Sequence, residues 1–217
     1  MLEKKTIKVA IADDYQLLRE ALTHILSQFE DIEVVGEAAD GHAALDLVRD
    51  KDVDILLLEP LIPKKDGIDL TKDVVGLDKK TRVVILTMDK TSHNAFRMLR
   101  AGAMGWLPKT VGVEEVLQAI RSVDKGKVFL PMELQRVFAE KYVRPESISN
   151  PEEQLSDREF QVMRLLALGN TNREISKMLY VGVKTVDTHR ANLLRKLGLR
   201  NNSDLTRFAI QNGFVKF

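Results

Sequence analysis

Four apolar runs in the first half of the chain each end on a side chain able to do chemistry. Lys8-Val9-Ala10-Ile11-Ala12 leads to Asp13 and Asp14, Ile55-Leu56-Leu57-Leu58 to Glu59, Arg82-Val83-Val84-Ile85-Leu86 to Thr87, and Gly105-Trp106-Leu107-Pro108 to Lys109. If the runs are parallel strands of one sheet, these side chains gather at one edge, because open α/β sheets bind ligands outside the carboxyl ends of their strands. Three carboxylates, a hydroxyl and an ammonium would then share a pocket. Carboxylates crowded in this way repel by on the order of several kcal/mol unless cations compensate. Lys109 supplies one positive charge, and an oxygen-seeking ion such as Mg2+ would supply the rest. Taken singly, each signal is ordinary: paired Asp residues after a strand more often form a turn or helix cap, and a lone Thr or Lys at a strand end is usually structural. The combination over four strand ends is the informative part.

A different chemistry occupies the last third. From Lys184 to Leu197 the apolar residues Val186, Leu193 and Leu197, with Val183 leading in, fall on one helical face. The opposite face carries Lys184, Asp187, Thr188, Ala191 and Arg195, bordered by Thr185 and Arg190. Lys184, Arg190, Arg195 and Lys196 suit phosphates, which position a protein on duplex DNA without reading sequence. Thr188 and Ala191 suit thymine methyl groups, and Asp187 can accept from cytosine N4. His189 has no second candidate at metal-ligand spacing and reads as a packing or phosphate-contacting residue. Upstream, Ser156-Asp157-Arg158-Glu159 and Thr171-Asn172-Arg173-Glu174 are capping boxes that start two helices. Two short helices about the glycine-containing turn Tyr180-Val181-Gly182-Val183, the second basic and polar, make a helix-turn-helix. A fourth helix near Ser203–Gln211 offers Leu205, Phe208, Ala209 and Ile210 for the core or for a second copy.

The elements that must position these groups alternate regularly. Strands at Lys8–Ala12, Ile32–Ala38, Ile55–Glu59, Arg82–Thr87 and Gly105–Lys109 are separated by helical patterns, among them Leu17, Leu18, Ala21, Leu22, Ile25 and Leu26. Further helices are expected at Ala43–Val48, Ile68–Val75, Ala95–Arg100 and Val113 to Gly126. The run before Glu59 is apolar without alternation, as in a strand covered on both faces, and Pro60 with Pro63-Lys64-Lys65-Asp66-Gly67 turns the chain beyond it. Strands alternating with helices predict a doubly wound parallel sheet with right-handed crossovers. We place this domain at residues 1–125, a linker with one amphipathic helix (Leu134, Val137, Phe138, Tyr142) at 126–153, and the helical domain at 154–217. No internal repeat is visible.

Composition narrows the field. The 217 residues carry no cysteine, so disulfides, thiolate zinc sites and thiol catalysis are excluded. The N-terminus lacks the apolar core of a signal peptide, and no apolar run approaches the roughly 20 residues of a membrane span, which points to the cytoplasm and to no membrane partner. Net charge is +1, but residues 151–217 hold 11 Lys and Arg against 7 Asp and Glu, or +4, a balance suited to a polyanion.

Residues 1–125 resemble a receiver domain of bacterial two-component response regulators. The likeness rests on Asp13/Asp14, the switch Thr87, the aromatic Trp106 in Gly105-Trp106-Leu107-Pro108-Lys109, and Lys109. It implies a flavodoxin-like fold that takes a phosphoryl group from a histidine kinase onto an acid ending the third strand, with Mg2+ held by Asp14, position 59 and the Leu61 carbonyl. Leu155–Glu159, Gly169–Ile175 and Lys184–Leu197 resemble the LuxR-type DNA-binding domain over about 62 residues. That likeness implies an all-α four-helix helix-turn-helix domain, a transcription regulator that is not an enzyme, double-stranded DNA as partner and a homodimer. It leaves a histidine kinase or RNA polymerase open as protein partners.

Two positions depart from the receiver pattern. Position 59 is Glu, whose carboxylate lies one methylene farther out, roughly 1.3–1.5 Å along the side chain. In-line phosphoryl transfer depends on positioning, and a displacement of that size costs on the order of 10²-fold. Pro60 stands where an aliphatic residue is usual and removes a backbone donor near the pocket. Three explanations are open: Glu59 reaches Lys109 and Thr87 as a permanent stand-in for phosphate, the domain is a silent scaffold, or Glu59 is an engineered or naturally tolerated substitution with residual phosphorylation. For the whole chain, the reading is a DNA-binding regulator with an atypical receiver. Its rivals are a conventional phosphorylated regulator and an interaction module without a promoter of its own. In the output domain the visible departure is Gly182, where serine commonly caps the recognition helix; Gly there costs only a few tenths of a kcal/mol, roughly.

Overall fold

The computed structural model describes residues 6–77, 79–88, 92–143 and 154–215. The chain forms two compact units that change over between Met132 and Glu133.

The first unit is a five-stranded parallel sheet in the order β2-β1-β3-β4-β5. Its strands are β1 (Ile7–Ala12), β2 (Ile32–Ala38), β3 (Ile55–Leu58), β4 (Arg82–Thr87) and β5 (Gly105–Pro108). Between and after them run α1 (Gln16–Leu26), α2 (Gly41–Asp50), α3 (Gly67–Gly76), α4 (Ser92–Arg100) and α5 (Val113–Asp124). All four residues of β3 are buried, as an unbroken apolar run in a doubly covered strand requires. Removing each such leucine from water contributes about 1.5–3 kcal/mol. One face packs Val9, Ile11, Ile55, Leu57, Val84, Leu86 and Leu107 against Leu22 and Leu26 of α1 and Val116, Leu117, Ile120 and Val123 of α5. Leu17, part of the helical pattern of α1, is exposed. Where the loops enter helices, Asp40 accepts from the His42 and Ala43 amides and Asp66 from the Ile68 amide, so both helices start on a carboxylate.

Beyond α5 the chain returns to the sheet. Phe129 bridges Gly105 in parallel, with its amide donating to the Met104 carbonyl and its carbonyl accepting from the Trp106 amide. The stretch that reads as the start of a linker therefore extends the edge of β5, because a strand edge offers unpaired backbone groups to any extended neighbour.

The second unit takes up α6 (Met132–Val143) from its second residue and contains α7 (Asp157–Ala167), α8 (Asn172–Met178), α9 (Val183–Leu197) and α10 (Asn202–Gln211). Leu134 of α6 is buried, whereas Tyr142, assigned to the same apolar stripe, is exposed. The prolines and polar residues of the linker after Val143 lie outside the described residues. Both capping boxes form, Ser156 with Glu159 and Thr171 with Glu174. Phe160, Val162, Met163, Ile175, Val186, Leu193, Leu205 and Phe214 fill the core of the four terminal helices. Val183, at the position that leads into that core, is the first residue of α9 and is exposed.

Candidate signalling pocket and nucleic-acid interface

The strand order reverses between β1 and β3, which makes the crevice beyond these two ends the natural ligand site of the sheet. Asp13 and Glu59 are the residues immediately past those ends. The Glu59 amide donates to the Ala12 carbonyl at 2.9 Å, the Asp13 amide to Ala38 at 3.1 Å and the Lys109 amide to Thr87 at 2.8 Å. Each functional residue is thus tied through its backbone to a neighbouring strand end before its side chain makes any contact.

The side chains then converge. Glu59 Oε1 accepts from the Leu61 amide at 3.0 Å and from the Thr87 hydroxyl at 3.1 Å. Its Oε2 lies 2.9 Å from Lys109 Nζ, which also lies 2.5 Å from Asp13 Oδ2. All four side chains are buried. At these distances Lys109 is ion-paired with both carboxylates at once. Burial alone would lower the Lys109 pKa, but the Asp13 and Glu59 carboxylates more than reverse this and hold it above the ordinary lysine value. The pocket therefore holds one charged ammonium between two acids. Asp13 Oδ1 accepts from the Tyr15 amide at 2.9 Å, its carbonyl accepts from Arg19 at 2.7 Å, and the Tyr15 ring centre lies 5.3 Å from Lys109 Nζ. Neither Tyr15 nor Arg19 was singled out from the sequence; a position directly after the acid pair was the available signal for Tyr15, and none pointed to Arg19.

The other expected members sit differently. Asp14, in the bend just past β1, is exposed, so the acid pair contributes one carboxylate to the interior. Among the described residues no three acidic or histidine side chains converge as a metal site. Trp106 is 1% exposed in β5, opposite Ile85. Pro60 does not empty the pocket of donors, since the next amide, Leu61, faces Glu59. The loop carrying it is pinned: Gly67 donates to the Pro60 carbonyl at 3.1 Å, Gly41 to Pro63 at 2.9 Å, and Lys64 pairs with Asp40 at 2.6 Å.

In the second unit α8 and α9 are joined through Tyr180, which takes a left-handed backbone at φ 53°, while Gly182 is the extended N-cap of α9. Lys184, Thr185, Asp187, Thr188, Ala191 and Arg195 are exposed along α9, and Arg190 is half-buried. The Thr188 hydroxyl donates to its own helix at the Lys184 carbonyl, Arg190 donates to Asn202 Oδ1 at 2.7 Å, and the Asn172 amide group donates to Asp187 Oδ1. Lys196, grouped with the phosphate-facing cations by sequence, is directed into the fold: Nζ donates to Glu159 Oε2 at 2.6 Å and to the Gln154 carbonyl at 3.0 Å. Buried Glu159 demands a cation, and Lys196 supplies it.

Residues 9–121 match the family described as response regulator receiver domain, and residues 153–209 the bacterial regulatory proteins of the luxR family. The chain is a response regulator of the LuxR type. The oxygen regulatory protein NreC of Staphylococcus aureus is 34% identical over 217 residues, spanning 97% of this chain and 100% of that protein. The uncharacterized transcriptional regulatory protein YxjL of Bacillus subtilis is 33% identical over 218 residues, spanning 99% and 100%. Among solved structures, RcsB from Salmonella enterica serovar Typhimurium, bound to promoter rprA in the presence of phosphomimetic BeF3-, superposes with a TM-score of 0.75 at 25% identity, covering 94% of this chain and 98% of that one. The expected fold class, receiver sheet plus helix-turn-helix domain, is thereby confirmed for this response regulator, and the family is one of transcription regulators. No helix among the described residues is long and apolar enough to cross a membrane.

Of the oxygens that the receiver likeness assigns to a divalent ion, those of Glu59 are already engaged. Both oxygens of Glu59 face protein donors, Asp13 faces Lys109 and Tyr15, and Asp14 is exposed. As they stand, Glu59 and Asp13 are paired with the Lys109 ammonium.

Proposed function

We propose that this response regulator binds promoter DNA through α9 with a receiver set by Glu59 itself rather than by phosphoryl transfer. The carrying observation is that the Glu59 carboxylate meets an amide, a hydroxyl and an ammonium at once, the donors of Leu61, Thr87 and Lys109. An anion seated at the end of β3 satisfies all three, and Glu59 supplies that anion permanently. The stand-in is incomplete, with one charge and two oxygens against a phosphoryl group's charge of about −1.5 to −2 and three oxygens. The receiver is accordingly only partly driven toward its active arrangement. Phosphoryl transfer from a histidine kinase is disfavoured by the longer side chain, and Mg2+ binds weakly because Lys109 holds its place.

On the DNA side, Lys184, Arg190 and Arg195 contact phosphates, and Thr185, Asp187, Thr188 and Ala191 face the major groove. Two copies sit on half-sites about one helical turn apart, roughly 34–36 Å. α10 exposes Ile210 for the pairing. The regulator's protein partner in the cytoplasm is a histidine kinase or RNA polymerase.

The test uses the full-length chain and its E59Q and E59D variants. DNA affinity falls in E59Q, which keeps the shape but loses the charge. E59D gains phosphate from a small phosphodonor with Mg2+, seen by intact mass, whereas the unaltered chain does not. Equal DNA affinity of E59Q and the unaltered chain would defeat the stand-in.

A further inference from the structure

We propose that Asn172 is a positioning residue for base recognition, holding the Asp187 carboxylate so that its free oxygen accepts from a cytosine amino group; the inference rests on α9 being the DNA-reading helix. Three observations carry it. The Asn172 side-chain N–H donates to Asp187 Oδ1, while Oδ2 has no partner among the described residues. Asp187 is exposed on the same face of α9 as Lys184, Thr188 and Ala191. Asn172 is itself fixed, as the first residue of α8 directly behind the Thr171–Glu174 capping box, in which the Glu174 carboxylate accepts from the Thr171 amide at 2.7 Å.

The chemistry follows from the charges involved. A lone aspartate on a surface offered to phosphates is repelled by them and, left to rotate, would turn away. A directional bond from a fixed amide restricts it to one orientation, removing rotamer freedom before the DNA arrives. What such a carboxylate can do in the major groove is accept, and the exocyclic N4 group of cytosine is the donor that a carboxylate pairs with there. Asn172 thus converts an unfavourable charge into a reader. Arg190 offers a contrast on the next turn of the same helix: its Nε donates to Asn202 Oδ1, and its other donors suit a phosphate without base preference.

The experiment is selection of bound duplexes from a randomised pool by the full-length chain, beside D187A, D187N, N172A, N202A and the N172A/D187A double variant. The unaltered chain enriches cytosine at one position per half-site, by about tenfold over the other bases. D187A loses that preference, N172A flattens it by at least about threefold, and the double variant is no flatter than D187A. D187N moves the preference toward adenine, with which an amide pairs. N202A lowers affinity for all sequences while keeping the same preferences. A purely structural latch would lower affinity uniformly or shift the melting temperature and leave the base preference intact, which would overturn the proposal. D187A with an unaltered preference would overturn it too, even if N172A failed to fold. If the unaltered chain binds no duplex at low salt, the DNA-binding reading fails and takes this inference with it; normal selection with identical preferences in every variant sinks the inference alone.

Discussion

The Thr87 hydroxyl donates to Glu59 Oε1 at 3.1 Å, with both side chains buried at the ends of adjacent strands. A hydrogen bond to a buried charge is worth about 1.5–3 kcal/mol, and its removal leaves the carboxylate short of a donor rather than merely unbonded. T87V keeps the volume and deletes the donor. We expect that variant to lose about 1.5–3 kcal/mol of receiver stability in urea unfolding. Trp106 is the single tryptophan of the chain and is buried in β5, so its fluorescence follows this unit. An unchanged midpoint would remove the hydroxyl from the pocket.

Lys109 neutralises two buried acids, and deleting a cation from such a cluster is costlier than deleting an acid. K109M should destabilise the receiver by about 3–5 kcal/mol, the range for an uncompensated buried charge. Adding E59Q to K109M removes one of the stranded carboxylates. The double variant should therefore be more stable than K109M alone, a sign that simple additivity of two harmful changes cannot give.

The helix-turn-helix unit has its own electrostatic anchor in Glu159. Burial alone would raise its pKa, but the Lys196 ammonium and then the Ser156 backbone and hydroxyl hold it below the ordinary glutamate value of 4.5. A carboxyl whose folded pKa is depressed adds stability above the unfolded pKa and loses it as pH falls through the folded value. Acidification below about 4.5 should therefore weaken this unit progressively. In E159Q, circular dichroism melts should show a lower melting temperature at neutral pH and a shallower decline on acidification. Equal slopes for both proteins would show that Glu159 is not the titrating anchor.

How far the sequence discloses all this depends on the range of each interaction. β2 and β4 fall at the residues their apolar patterns indicate, Ile32–Ala38 and Arg82–Thr87, because a strand's pattern is local. The capping boxes are equally legible, being contacts across three positions. The convergence of Asp13, Glu59, Thr87 and Lys109 follows from topology, since parallel strands deliver their ends to one edge. What no pattern reveals is the partner of a flexible side chain far along the chain. Lys196 looks like a phosphate contact until Glu159, 37 residues earlier, is seen to claim it. Lys79 likewise spends its ammonium on the Val48, Arg49 and Lys51 carbonyls at the end of α2. Asp14 differs for another reason: the sequence places two acids after β1 but does not say which of them is buried.

Exposed cations on α9 should show themselves through salt. Lys184 is exposed near the start of the helix, where a phosphate would meet both its ammonium and the helix N-terminus. K184A should weaken binding to every duplex alike and lower the slope of log affinity against log salt by about one unit. Fluorescence anisotropy with specific and scrambled duplexes over a salt series measures both quantities. A variant that loses affinity for one sequence only would instead make Lys184 a base reader.

Gly67 shows how tightly the segment after Glu59 is held. A Cβ at this position would come within 2.5 Å of Pro60 Cα and 2.6 Å of its carbonyl oxygen, and both are backbone atoms that cannot swing aside. G67A must therefore push the Pro60–Leu61 segment outward, at a cost of about 1–3 kcal/mol for overpacking. The Leu61 amide moves with that segment, so Glu59 Oε1 loses one of its two donors. Two readouts should change together: the urea midpoint of the receiver falls, and DNA affinity drops toward that of E59Q. A fall in stability with DNA affinity unchanged would show that the Leu61 contact does not contribute to the state Glu59 maintains.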